Sequence, residues 1–182
     1  HLVRSAGIVF HCSGALSSEV LSPLRECGAL VASVHPVKSF SSVREAIDTF
    51  SGTYCGIEGD KRAVAELSNA FEKIGASLFR VTAESKALYH ASFVFACNYL
   101  TALLECAFQC CDAAGIKRDD ASKVMHSLVS QTVEAIMSRG VDSALTGPVA
   151  RGDVDVVANQ LESVGQLRKD FAEIYRLLGR VA

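Results

Sequence analysis

Apolar runs at residues 7–11, 29–35, 54–57 and 77–81 are β-rich and bounded by Gly, Pro or Ser, so the pattern predicts strands there. Between them the hydrophobic period lengthens to that of helices. Residues 18–27 are periodic and end at Gly28, residues 43–50 form a shorter stretch, and residues 60–74 start at Asp60 as an N-cap and stop at Gly75. Strand, helix, strand, repeated, predicts a parallel α/β sheet. The pattern changes near Thr82. Beyond it no strand is predicted and long helical periods take over at 86–114, 119–139, 152–163 and 166–178, with Gly115, Gly140 and Gly165 as punctuation. The expected organisation is an α/β part over residues 1–82 and an all-α part over 83–182. Residues 2–6 read as a helix end feeding the first strand, which predicts a chain that starts mid-domain.

The helix predicted over 86–114 is apolar nearly all round, with a narrow polar stripe at Asn98, Thr101, Glu105, Gln109 and Asp112. At ~1.5 Å per residue it would run about 43 Å, longer than so small a helical domain covers by itself, so a second subunit is the expected cover. Its first turns carry Lys86 and His90, four residues apart on one face. Burial and mutual repulsion would push both pKa values toward neutrality, where proton transfer works best. Lys86 is therefore a candidate catalytic lysine at a domain boundary.

Composition supports a folded chain: 49% of the 182 residues are hydrophobic and 21% are charged, enough for one medium domain or two small ones. The net charge of -2, with no basic run or stripe, gives no reason to expect a nucleic-acid partner. No apolar segment is read as reaching the roughly 18 residues of a membrane span, and no charged-then-apolar leader precedes the first strand. A soluble, cytoplasmic protein with no membrane partner is expected. The seven cysteines form no CxxC pair and read as reduced thiols, with Cys106, Cys110 and Cys111 at core-like helical positions. His11, Cys12, His35 and Cys55 lack metal-ligand spacing, so packing is preferred over a metal site.

In open α/β sheets ligands bind beyond the carboxyl ends of the strands. The first predicted strand ends in His11-Cys12-Ser13-Gly14, where Gly14 would let backbone approach a ligand and Ser13 would donate to it or cap the helix behind. The second ends in His35-Pro36-Val37-Lys38-Ser39-Phe40, with Pro36 fixing the turn where His35 leaves the sheet; His35 either faces a ligand or is a satisfied structural histidine. The third ends in Glu58-Gly59-Asp60, read as a turn plus helix N-cap. A further polar cluster, Thr146-Gly147-Pro148-Val149-Ala150-Arg151-Gly152-Asp153, joins two helices. There Arg151 either clamps a carboxylate or forms an ordinary ion pair, and Asp153 reads as an N-cap. Asn98, on a helix expected to be buried, either bonds a neighbouring helix or reaches a ligand.

Taken together, His11-Cys12-Ser13-Gly14-Ala15, His35-Pro36-Val37-Lys38-Ser39-Phe40, Gly56-Ile57-Glu58-Gly59-Asp60, Lys86-x-x-Tyr89-His90, Asn98 and Leu145-Thr146-Gly147-Pro148-Val149-x-Arg151-Gly152-Asp153 resemble the Rossmann-like, domain-of-unknown-function 2520 family. That family looks like a branch of the group holding 6-phosphogluconate, β-hydroxyacid and prephenate dehydrogenases and pyrroline-5-carboxylate reductase. The resemblance implies a partial Rossmann-type parallel sheet that binds NADP or NAD, followed by a 6-phosphogluconate dehydrogenase C-terminal-like helical domain through which the chain forms a homodimer. The Gly-x-Gly-x-x-Gly turn that normally opens the family's fold is missing, since none of the 13 glycines falls in that spacing.

β-Hydroxyacid dehydrogenases carry Lys-x-x-x-Asn at the start of the interdomain helix; Lys86 matches the lysine, and His90 stands where the asparagine would be. By that resemblance Lys86 is the general acid/base and His90 its orienting or relay partner. His35, Ser39, Asn98 and Arg151 then face a small-molecule substrate, and His11, Ser13, Gly14 and Pro36 face the cofactor. The implied function is an NAD(P)-dependent oxidoreductase of a small carbonyl or hydroxy acid. The alternative is a non-catalytic dimeric binding or assembly module with a vestigial nucleotide fold.

Overall fold

Val31, Ala32 and Val34 are wholly buried in the strand Leu30–Pro36, because a strand covered on both faces needs an almost continuous apolar run. The computed structural model describes residues 7–40 and 42–182; the expectation for residues 2–6 falls outside them. By its internal contacts the chain divides into two units, His1–Asn98 and Tyr99–Ala182. The division lies within a helical stretch, later than the change of pattern at Thr82, so Lys86, Tyr89 and His90 belong with the sheet.

In the first unit the strands are β1 (Ile8–His11), β2 (Leu30–Pro36), β3 (Tyr54–Gly59) and β4 (Ser77–Arg80), side by side in chain order. β1 runs parallel to β2 and β3 parallel to β4, but β2 and β3 are antiparallel, with His35 opposite Gly56 and Pro36 opposite Cys55. The sheet is mostly parallel rather than wholly so, and the reason lies in the β2–β3 connection. A parallel crossover needs a helix that packs on the sheet. The only helix there among the described residues, α1 (Val43–Asp48), is six residues long with none buried, so the chain turns back at the edge it reached. As a result the end of β3 at Glu58-Gly59-Asp60 lies beside the start of β2, away from His35.

The core lies between the sheet and α2 (Lys61–Lys73), where Ala32, Val34, Cys55 and Ile57 meet Ala63, Val64 and Leu67. Burying each Val, Leu or Ile there contributes roughly 1.5–3 kcal/mol. α2 ends as its sequence implies, with Gly75 at φ +88 just past it. Its start differs: Asp60 stands at the N-cap but its side chain does not cap, and instead accepts from Val31 N–H at 2.7 Å and pairs with Arg25 at 3.1 Å. Residues Ser18–Cys27 form a 3₁₀ helix rather than an α-helix. Pro23 inside it has no N–H to give an α-helical ladder.

The helical stretch that follows is broken in type. α3 (Lys86–Phe93) passes into a π-helical turn (Val94–Tyr99) and then α4 (Leu100–Ala113). Taken as a whole, Lys86–Ala113 has a mean hydropathy of 1.5 in its most apolar window and is long and apolar enough to cross a membrane by length and composition. That corrects the expectation that no segment reaches this length; acidic residues confined to the last turns leave the remainder nearly uncharged. Asn98 is exposed rather than buried.

The second unit continues with α5 (Arg118–Arg139), α6 (Val141–Ala144), α7 (Gly147–Arg151), α8 (Val154–Leu167) and α9 (Lys169–Val181). The break between α8 and α9 falls at Arg168, which is extended, and not at Gly165, which is helical. Cys106, Cys110 and Cys111 are half-buried, not core residues. Within this unit only Ala121 and Phe171 are buried among the described residues.

Candidate functional site

Alternation along β2 sends Ala32 and Val34 into the α2 core and turns Ser33 and His35 to the opposite face. α3 covers that face. It is launched by a turn in which Thr82 N–H donates to Ser85 Oγ (3.2 Å) and Ser85 N–H donates to Thr82 Oγ1 (3.3 Å). Lys86, its first residue, is 1% exposed and donates from Nζ to the Ser13 carbonyl and to Ser33 Oγ, both at 2.9 Å. One lysine thus ties the loop after β1 to the middle of β2. An ammonium has three donors, and these two acceptors take two of them.

One turn on, the Tyr89 hydroxyl and His35 Nδ1 are 2.8 Å apart. The tyrosine reaches the sheet because Gly56 lies beneath it: a Cβ there would stand 2.4 Å from the hydroxyl oxygen. Tyr89, His90 and Phe93 surround the imidazole, with ring centroids 5.6, 5.8 and 6.2 Å from that of His35. Gly14 is packed against the same rings, a Cβ on it coming within 2.4 Å of His90 Cδ2 and 2.7 Å of His35 Nε2. Here the missing Cβ admits two imidazoles.

On the far side of Lys86, the buried carboxylate of Glu58 accepts from Ser18 N–H and Ser18 Oγ, each at 2.7 Å. Burial holds the Lys86 ammonium below its ordinary pKa, while Glu58 and Cys12 partly oppose that shift. The repulsion from His90 expected for Lys86 is not among the causes. Burial, then the charges of Lys86 and His90, push His35 down. Burial and Cys55 push the Tyr89 phenol up to about 12, against a lowering by Gly56 N–H. Cys12 is raised by burial, with Lys86 opposing, so it stays a thiol at neutral pH.

Of the residues singled out by sequence, Lys86, His90, His35, Ser13 and Gly14 converge. Pro36 follows His35 and, with Cys12, Gly14, His35 and Lys38, lines a cleft of about 500 Å³ continued by Phe40, Phe50 and Phe71. His11 is engaged locally: Nδ1 accepts from Ser13 N–H at 3.1 Å, so Nε2 carries the proton and donates to the Ser17 carbonyl at 3.0 Å. Ser13 Oγ accepts from Leu16 N–H at 3.1 Å. Ser39 is exposed beyond β2, and Asn98 is exposed at the end of the first unit. Arg151 belongs to the second unit, where it pairs with Asp153 at 2.8 Å, and Asp153 makes no side-chain cap.

Sequence reasoning named neither Ser33 nor the pairing of Ser18 with Glu58, and gave Tyr89 and Glu58, quoted only within motifs, no role in the site. The two-residue alternation linking Ser33 to His35, and the three-residue step from Lys86 to Tyr89, were available as signals. Nothing in the sequence pairs Ser18 with Glu58, forty residues away.

A sheet whose one face carries this polar cluster, followed in sequence by an all-helical unit, defines a Rossmann-like protein with the fold of NADP oxidoreductases. The chain belongs to the family described as domain of unknown function DUF2520, which matches residues 53–182. TM1727 of Thermotoga maritima is 27% identical with a TM-score of 0.72, over 96% of this chain and 69% of that one. BF3122 of Bacteroides fragilis, which carries the provisional name of an NADP oxidoreductase, is 22% identical with a TM-score of 0.77, over 96% and 64%. Pyrroline carboxylate reductase of Plasmodium falciparum, with NADP bound, is 13% identical with a TM-score of 0.53, over 94% and 71%. The chain therefore spans about two thirds of the length of these proteins. No curated protein matches it.

The cleft at His35 has room and polar atoms for a flat ring, whereas a pyrophosphate cradle is not among the chain's glycine spacings.

Proposed function

We propose that this chain is the part of an NAD(P)-dependent oxidoreductase that binds a small carbonyl or hydroxy-acid substrate beside the nicotinamide, in a cytoplasmic homodimer. The observation that carries the reading is Lys86: a cation 1% exposed, with its pKa lowered by burial, bonded to the loop after β1 and to the strand that bears His35. A structural neighbour solved with NADP bound supports it. The cofactor, when bound, supplies the hydride. The chain's own residues would do the rest. His35 and His90 line and close the site, Tyr89 and the apolar rings around them exclude water, and Lys86 is the reservoir for the proton that the substrate oxygen gains or loses.

The same burial favours a second reading, in which Lys86 is a bracket between β1 and β2 in a non-catalytic binding or assembly module. Lys86→Met separates the two. Under the first reading the variant folds, keeps NADPH binding in the full-length protein and loses ~10²–10⁴-fold in turnover against a panel of small ketones and hydroxy acids. Under the second, loss of the bracket lowers stability while no turnover exists to lose. Absence of NADPH fluorescence quench and thermal shift at millimolar cofactor, in the full-length wild type, would sink the oxidoreductase reading.

A further inference from the structure

Tyr89 bonds a ring nitrogen of His35 from a direction that leaves the other nitrogen toward the cleft. The hydroxyl has one hydrogen-bond partner of its own among the described residues, His35 Nδ1 at 2.8 Å. If Nδ1 carried the proton, the hydroxyl oxygen would accept it and the hydroxyl's own hydrogen would have no acceptor among the described residues. With the hydroxyl donating to Nδ1, every group is satisfied. The second nitrogen, Nε2, has no hydrogen-bond partner, yet no buried side-chain nitrogen or oxygen among the described residues lacks one, so Nε2 meets the solvent of the cleft that His35 lines.

We propose that Tyr89 is the positioning residue that fixes His35 as its Nε2–H tautomer, so that a neutral imidazole presents an N–H donor to an oxygen bound in the cleft, a substrate carbonyl or the alkoxide derived from it. The assignment of that oxygen rests on the oxidoreductase reading; the tautomer does not. The surroundings keep the ring neutral. Burial and the charges of Lys86 and His90 disfavour a second proton, and Tyr89, the other titratable group against the ring, is a neutral phenol. Gly56 and Gly14 are the matching backbone provisions, since a Cβ at either would move the tyrosine or the imidazole. A neutral N–H donor polarises a carbonyl without carrying a charge that would hold the product oxyanion.

Ring nitrogen shifts of His35 in 15N-labelled protein, above the pH at which the imidazole loses its second proton, test the assignment. Wild type is expected to show Nε2 protonated and Nδ1 as a hydrogen-bonded acceptor, coupled to a slowly exchanging Tyr89 hydroxyl proton. In Tyr89→Phe the hydroxyl resonance disappears and Nδ1 moves to the position of an unbonded acceptor. Wild-type protein with Nδ1 protonated overturns the proposal, and that spectrum decides even where the variant is unstable. A variant whose His35 shifts match wild type overturns it as well. Where full-length protein turns over a ketone, Tyr89→Phe is expected to lower kcat by about tenfold with KM nearly unchanged, as for an interaction made mainly in the transition state. Failure of NADPH to bind would remove the oxidoreductase reading and leave the nitrogen shifts to judge the tautomer.

Discussion

His35 is the residue at which environment and chemistry meet most directly. Its pKa is lowered by burial and by the charges of Lys86 and His90, so the unfolded chain takes up a proton near pH 6.5 while the folded chain resists until lower pH. Between those two values the unfolded state binds more protons, and stability therefore rises with pH. This contribution is complete above about pH 6.5 and is lost as pH falls through the folded value. Melting temperatures from about pH 4.5 to 7.5 should show a slope in wild type that flattens in His35→Gln; an unchanged slope would mean that the imidazole is not held neutral by its neighbours. The residue scale is also where the sequence was least legible. His35, Lys86 and His90 stand out by type, but Ser33, Ser18 and Glu58 are polar side chains in buried positions, and only the folded chain shows the partners that allow them there.

At the scale of elements, the strands fall within a residue or two of the apolar runs, and the turns at Gly28 and Gly75 fall where the glycines stand. What periodicity did not carry was direction. Whether β3 returns parallel or antiparallel depends on whether the intervening helix packs on the sheet, and α1 reads as helical whether it does or not. The 3₁₀ helix is held from outside, by the Ser18–Glu58 pair. Ser18→Ala removes the hydroxyl bond to a buried carboxylate and should lower stability by ~1.5–3 kcal/mol, measurable by denaturant titration. Gly59 stands at φ +137, and a Cβ on it would lie 2.5 Å from the backbone of Ala32 in the neighbouring strand. Gly59→Ala is expected to cost at least ~2 kcal/mol, since neither strain nor clash can be relieved by a side-chain rotation; a melting temperature within a degree or so of wild type would contradict this.

For the whole molecule the informative quantity is apolar surface. Leu88 and Phe95 in the first unit are 79% and 68% exposed, and the second unit buries little beyond Ala121 and Phe171. Large apolar side chains left exposed in each unit are what the proposed homodimer would cover. Sedimentation at micromolar concentration should show a dimer; a concentration-independent monomer would contradict the homodimer. The apolar length of Lys86–Ala113 makes a bilayer the other candidate, and flotation with neutral liposomes decides between them. Its first turns argue for the dimer, because Lys86 and Tyr89 are already bonded to the sheet.

The sheet's strand order has a consequence for how the chain reaches this state. Because β1, β2, β3 and β4 lie side by side in the order in which they occur, each strand finds its neighbour in the next one along the sequence. No strand waits for a distant segment to arrive before it can pair. Each step closes a connection of similar length, so no one pairing carries a much larger loop-closure entropy than the others. The antiparallel return between β2 and β3, which sets the ends of the strands at opposite edges, also supplies the shortest route to a first pairing, onto which β1 and β4 can add from either side. Lys86, reaching back from α3 to Ser13 and Ser33, would then be among the last contacts to lock, so the site would assemble only after the sheet beneath it is complete.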